Sequence, residues 1–139
     1  MTNIREIRPE EIPVLEDFLY EAIFIPEGVP APPRAIVKDK DLQVYVQDFG
    51  KKSDDRCLVA KVDGKIVGAV WTRIMDDYGH VDDQTPSLAI SLYKEYRSRG
   101  IGTQLMRRML ERLKADGYKR VSLSVQKENY ALKLSKIFD

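Results

Sequence analysis

The chain has 139 residues, of which 43 % are hydrophobic and 32 % charged, with 23 Lys plus Arg against 22 Asp plus Glu. That length and mix suit one folded domain, and residues 1–139 read as a single domain with one core. A net charge of +1 gives no global pull toward nucleic acid or an anionic membrane, so a phosphate must be met by a local site.

Cys57 is the only cysteine. It can form no internal disulfide and no zinc cluster of the usual kind, and it reads as a small buried hydrophobe. The segment Met1-Thr2-Asn3-Ile4-Arg5-Glu6 lacks the apolar run of a signal peptide, and no stretch approaches ~20 apolar residues. The expected location is the cytoplasm.

Residues 2–8 alternate around Ile4 and Ile7 and predict a short first strand. From Pro9 to Ile23, residues Ile12, Leu15, Phe18, Leu19, Ala22 and Ile23 fall at helical spacing, with Pro9 and Pro13 in the first turns. Residues 24–37 hold Pro26, Pro30, Pro32, Pro33 and Gly28 and predict a loop or broken helix that packs on the domain or lines a pocket. A second helix is expected from about Asp39, with Leu42, Tyr45, Val46 and Phe49 on one face and Gly50 as its stop.

Leu58–Val62 and Lys65–Trp71 flank Asp63-Gly64, the signature of a hairpin with a two-residue type I′ turn. Asp76 to Gln84 reads as a polar turn, and Ser87–Leu92 as a mostly buried strand. Ile101 to Asp116 is the strongest helix, with Ile101, Leu105, Met109, Leu110 and Leu113 in one stripe and Gly117 after its end. Val121, Leu123 and Val125 alternate with polar residues as in a strand, and a last helix is expected from Asn129 through Ala131, Leu134 and Phe138. The order predicts a mixed α/β domain with a central meander and a late β-α-β crossover.

Between the strand ending at Leu92 and the helix starting at Ile101 lies Tyr93-Lys94-Glu95-Tyr96-Arg97-Ser98-Arg99-Gly100-Ile101-Gly102-Thr103. A helix N-terminus offers unpaired amide hydrogens and a positive dipole end. Gly100 and Gly102 allow close approach to the backbone, Arg97 and Arg99 add charge, and Thr103 adds a hydroxyl. A diphosphate fits best; the plainer reading is a strand-to-helix turn with solvated arginines. It is neither a Walker loop nor the dinucleotide fingerprint, since no Gly-Lys-Ser/Thr and no third glycine is present.

Leu88-Ala89-Ile90-Ser91-Leu92 followed by Arg97-Ser98-Arg99-Gly100-Ile101-Gly102 resembles the acetyl-CoA motif of the GNAT N-acetyltransferase superfamily, Arg/Gln-x-x-Gly-x-Gly/Ala. Asn129-x-Ala131-x-x-Leu134 is similar to the family's final helix motif. The resemblance implies a GNAT-type α/β (α+β) fold, a central mixed and mostly antiparallel sheet flanked by helices. It implies that the Ser98–Thr103 amides hold the pyrophosphate of acetyl-CoA. It further implies that backbone groups of Ile90, Ser91 and Leu92 pair with the pantetheine arm, that the Leu92 amide meets the thioester carbonyl as oxyanion donor, and that Asn129 touches the cofactor or caps its helix. The implied reaction moves an acetyl group to a primary amine of a small molecule or protein, without nucleic acid or membrane.

The chain departs from the family pattern at three points. Ser135 stands where the family's acid, a tyrosine, is expected, with Tyr130 at the wrong offset to replace it. Ser124 stands where one subgroup carries a glutamate base. The chain ends at Phe138-Asp139, where the family goes on with two more strands. The expectation is a C-terminally truncated or frameshifted domain, whose uncovered edge invites a homodimer. A catalytically weak acyl-CoA-binding or sensing domain is therefore the alternative to an enzyme. The base candidates are His80, the only histidine, and Asp83 beside it in a cluster with Asp76, Asp77 and Asp82, unless that stretch is simply a solvated turn. Glu21 and Glu27 are acceptor-side candidates or surface carboxylates, and Trp71 and Tyr78 are candidate cleft walls, with Trp71 better placed in the core.

Overall fold

The computed structural model of the chain describes residues 2–22, 28, 30, 32–74, 85–127 and 130–137, with the backbone alone described at 41, 123–127 and 130–137. Six strands form one sheet in the order β1 (Thr2–Glu6), β2 (Arg56–Val62), β3 (Lys65–Arg73), β4 (Ser87–Leu92), β5 (Arg120–Lys127), β6 (Tyr130–Ile137). All neighbours are antiparallel except β4 and β5, which are parallel. The helices are α1 (Val14–Glu21), α2 (Lys40–Gln43) and α3 (Ile101–Ala115). This is the mixed, mostly antiparallel sheet with flanking helices that the resemblance implies. Among the described residues no helix is long and apolar enough to cross a membrane.

The β2–β3 hairpin forms because Asp63 and Gly64 both take positive φ, 51° and 83°, the pair a type I′ turn demands. Its register steps between Ala60↔Gly68 and Lys61↔Ile66, which leaves Val67 as an extra residue, a β-bulge.

The sheet separates two apolar layers. On one face Leu15, Phe18 and Leu19 of α1 pack with Val37, Val46, Phe49, Cys57, Val59, Ala69 and Trp71. On the other, the α3 stripe of Ile101, Leu105, Met109 and Leu113 packs on Leu58, Ala60, Val70, Leu88 and Val121. Cys57 is 2 % exposed, as a small hydrophobe would be, and burial pushes its thiol pKa up.

Three elements differ from expectation. The first helix is split into a 3-10 turn, Pro9–Glu11, and α1, with Pro13 as the α1 N-cap. The second helix stops after four residues. Trp71 Nε1 donates to Tyr45 C=O at 3.1 Å, and Arg73 donates to Val44 C=O at 3.3 Å and Gln47 C=O at 2.8 Å, engaging carbonyls that a longer helix would use internally. The expected helix from Asn129 to Phe138 is a strand: Tyr130 to Ile137 pair with β5 along its whole length. Leu132 and Leu134 alternate with Lys133 and Ser135, a period of two that short apolar runs share with helical spacing. Ser135 thus stands opposite Ser122 in the sheet, not on a helix.

Candidate functional site

The site begins where two strands part. β4 pairs with β3 from Ser87 to Leu92, but with β5 only at Ser87↔Ser122 and Leu88↔Leu123. Strand parity fixes which main-chain groups border the opening. Ser122 N–H donates to Pro86 C=O at 2.8 Å, so even-numbered residues of β4 face β5; Tyr93 N–H donates to Val67 C=O at 3.0 Å, so odd-numbered ones face β3. The N–H groups of Ile90 and Leu92 and the Ile90 C=O therefore line the open flank. The expectation for Ser91 changes: its main-chain groups turn toward β3, and only its side chain is left to meet a ligand.

Beyond Leu92 the chain makes a 3-10 turn, Lys94–Tyr96, and then the glycine loop. Ser98 and Gly100 have φ of 63° and 83°, on either side of Arg99 with negative φ. Alternating handedness gathers successive N–H groups into a concave nest that suits an anion. The first amide bonded within the helix is Gln104 N–H, to Gly100 C=O at 3.1 Å. No backbone partner among the described residues engages the amides of Ser98 to Thr103. The α3 N-terminus also has no side-chain cap and no acidic residue in its first turn, so its positive end is not neutralised from within. A Cβ at Gly100 would meet nothing within 4 Å, so the space before the loop is open.

The two arginines divide. Arg97 Nε donates to Leu92 C=O at 3.1 Å and its Nη2 to Glu21 C=O at 2.8 Å, with the Glu21 carboxylate 3.6 Å away. It ties the end of α1 to the end of β4. Arg99 instead lies over the Tyr96 ring, 5.4 Å from its centroid, and makes no ion pair among the described residues. The Glu21 carboxylate is one-third exposed, so this contact with Arg97 is loose.

Leu92 is held from two sides by glycines. A Cβ at Gly68 would stand 2.8 Å from Leu92 Cγ, and one at Gly102 would stand 3.4 Å from Leu92 Cδ1. Sequence reasoning missed Gly68; its signal was an isolated glycine inside a strand, which marks a close approach. Trp71 is 1 % exposed and belongs to the core beside α1. His80, Asp83, Asp76, Asp77, Asp82, Tyr78, Glu27 and Asn129 lie outside the described residues, and so does any arrangement they make. The side chains of Ser124, Tyr130 and Ser135 lie outside them too. Among the described residues no cluster of His, Cys, Asp or Glu could hold a metal ion.

Comparison with known proteins gives three kinds of result. The model of the acetyltransferase (GNAT) family matches residues 19–134. No curated protein matches the chain. Solved structures do. An N-acetyltransferase from Staphylococcus aureus Mu50 shares 17 % identity at a TM-score of 0.65, over 93 % of this chain and 76 % of that one. The GNAT domain of S. lividans PAT shares 16 % at 0.65, over 99 % and 90 %. A GNAT family acetyltransferase from Brucella melitensis, solved in complex with acetyl-CoA, shares 19 % at 0.62, over 97 % and 88 %.

Proposed function

The chain belongs to the GNAT acetyltransferase family, and from that premise we propose that it transfers an acetyl group from acetyl-CoA to a primary amine. The observation that carries the proposal is the row of amides from Ser98 to Thr103 that no backbone partner among the described residues engages, set at the end of a strand that has left its neighbour. Similar folds have been solved with acetyl-CoA or coenzyme A bound.

In this reading the Ser98–Thr103 amides and the Arg99 guanidinium hold the diphosphate. The Ile90 N–H and C=O and the Leu92 N–H hold the arm in the manner of an added strand. When bound, acetyl-CoA supplies an acetyl group activated as a thioester. An inward amide of β4, that of Leu92 or the deeper one of Ile90, donates to the carbonyl oxygen and stabilises negative charge as it develops there. Leu92 is suited to this because its side chain packs closely on the backbone of Gly68, where a Cβ would stand 2.8 Å from Leu92 Cγ. A base near the amine falls to His80 or Asp83, and Asn129 is a further cofactor contact.

Thiol release from acetyl-CoA, measured with and without spermidine, L-lysine, an aminoglycoside and a peptide with a free N-terminus, tests the proposal. Amine-dependent release supports transfer. Calorimetric binding of acetyl-CoA without release on any amine turns the reading to a sensing domain, and no binding at all overturns it.

A further inference from the structure

Ser91 is 5 % exposed, and its hydroxyl has no hydrogen-bond partner among the described residues. A buried orphan hydroxyl costs free energy unless something outside the chain completes it. Its position says what that is. Ser91 shares strand parity with Ala89, which packs on the α1 face, and it pairs in register with Ala69. Ala89 and Ala69 are small, and the third neighbour on that face, Tyr93, lies against Phe18 of α1, with ring centroids 4.9 Å apart. On either side of it along β4, Ile90 and Leu92 aim their amides in the plane of the sheet toward the open flank, while their side chains join the α3 layer.

A carbonyl oxygen accepting an in-plane amide from β4, within an arm lying as an added strand, would turn the two faces of its carbon above and below the sheet. A nucleophile attacks such a carbon from one of those faces. The α3 face is filled by Leu92 itself, seated between Gly68 and Gly102, with Ile101 and Leu105 beyond. The α1 face carries the orphan Ser91 hydroxyl. We infer that Ser91 Oγ accepts a hydrogen bond from the attacking primary amine and aims its lone pair at the acyl carbon from the α1 side. Ser91 takes no proton from the amine; it orients the nitrogen and leaves deprotonation to another group. This assignment rests on the proposed acetyl transfer and names a residue for its acceptor half.

The test compares wild type, Ser91→Ala and Ser91→Thr by thermal melting without ligand, by calorimetry with acetyl-CoA, and by thiol release with the same four amines. Ser91→Ala removes an unpaired buried group, so it should melt at the wild-type temperature or above. It should bind acetyl-CoA within ~2-fold of wild type and lose ~10-fold or more in kcat/KM for the amine, the scale of one hydrogen bond. Ser91→Thr, which keeps the hydroxyl, should recover most of that loss. A lower melting temperature for Ser91→Ala would show that the hydroxyl is already paired in the free protein and would overturn the inference. So would full amine turnover by Ser91→Ala. Failure of the wild type to bind acetyl-CoA, or to release thiol with any amine, would instead overturn the proposed function and this assignment with it.

Discussion

The side chain of Leu92 rests on the backbone of Gly68. A Cβ at residue 68 would stand 2.8 Å from Leu92 Cγ, 3.1 Å from its Cδ2 and 3.2 Å from the carbonyl oxygen of Ser91. The last of these is backbone, and it belongs to the same peptide as the Leu92 N–H that borders the cleft. Gly68→Ala should therefore lower stability by ~1–3 kcal/mol, as over-packing does, and weaken acetyl-CoA binding beyond what the stability loss explains. Gly102→Ala is the control for stability alone, since Gly102 belongs to the proposed diphosphate cradle. Its Cβ would be 3.4 Å from Leu92 Cδ1, an ordinary contact, and alanine favours the helix by up to about 1 kcal/mol. Urea unfolding of both variants checks the packing contrast and calorimetry of Gly68→Ala checks binding; equal stability of the two variants would remove the special role of residue 68.

Arg97 and Arg99 should part under mutation. Arg99 is exposed and held by no carboxylate among the described residues, so Arg99→Ala should cost acetyl-CoA roughly 1 kcal/mol of binding at low salt, less as salt rises. It should leave S-acetylpantetheine, which lacks the diphosphate, unaffected. Arg97→Ala frees Leu92 C=O and the end of α1, so it should weaken both ligands by similar factors. Titrations of the two ligands against each variant decide this. A selective loss of acetyl-CoA binding in Arg97→Ala would return that residue to the phosphates.

The geometry of the glycine loop was legible in the sequence because it concerns main-chain groups, and a strand followed by Gly-x-Gly and a strong helix fixes where those groups point. The Asp63-Gly64 hairpin was legible for the same reason, since few residues tolerate both positive φ angles. What stayed hidden depends on contacts distant in sequence. Nothing local says that Trp71 and Arg73 will engage the carbonyls of residues 44, 45 and 47 and end a helix whose apolar spacing runs on to Phe49. Ala131 and Leu134 fit a helix by spacing, and pairing with β5 decided for a strand. The division between Arg97 and Arg99 needed the end of α1, 76 residues earlier, to be in place.

Acid should unfold the protein in part through Glu11. Its carboxylate takes both Arg5 Nη groups, at 2.8 and 2.7 Å, and the Arg8 N–H at 2.9 Å. The Arg5 hydrogen bonds first, then that of Arg8, hold its pKa at about 2 against an ordinary 4.5. A folded-state pKa below the unfolded value stabilises the fold above pH 4.5, and the gain is lost as pH falls from about 4.5 toward 2. With solvent screening the contribution is on the order of 1–2 kcal/mol. Glu11→Gln should lower the melting temperature at pH 7 by about 3–8 °C and show a flatter decline between pH 5 and 2.5. Parallel melting curves for the two proteins across that range would contradict the assignment.

The pair that anchors the α1 layer is Arg73 with Asp55. The Asp55 side chain is fully buried and that of Arg73 is 6 % exposed; Nε and Oδ1 are 3.2 Å apart. Asp55 Oδ2 also accepts the Gly50 N–H at 2.9 Å, while Arg73 holds the carbonyls of Val44 and Gln47 and lies over the Phe49 ring, 5.5 Å from its centroid. One ion pair thus fastens residues 44–50 to the end of β3, beneath α1. Asp55→Ala strands a buried guanidinium, which should cost ~3–5 kcal/mol. Asp55→Ala combined with Arg73→Met removes both charges, and the desolvation penalty goes with them. The double variant should therefore be more stable than Asp55→Ala alone, although the carbonyls of Val44 and Gln47 lose their donor. A urea double-mutant cycle reads the coupling directly. Simple additivity would mean that Arg73 is supported by those carbonyls rather than by its charge partner.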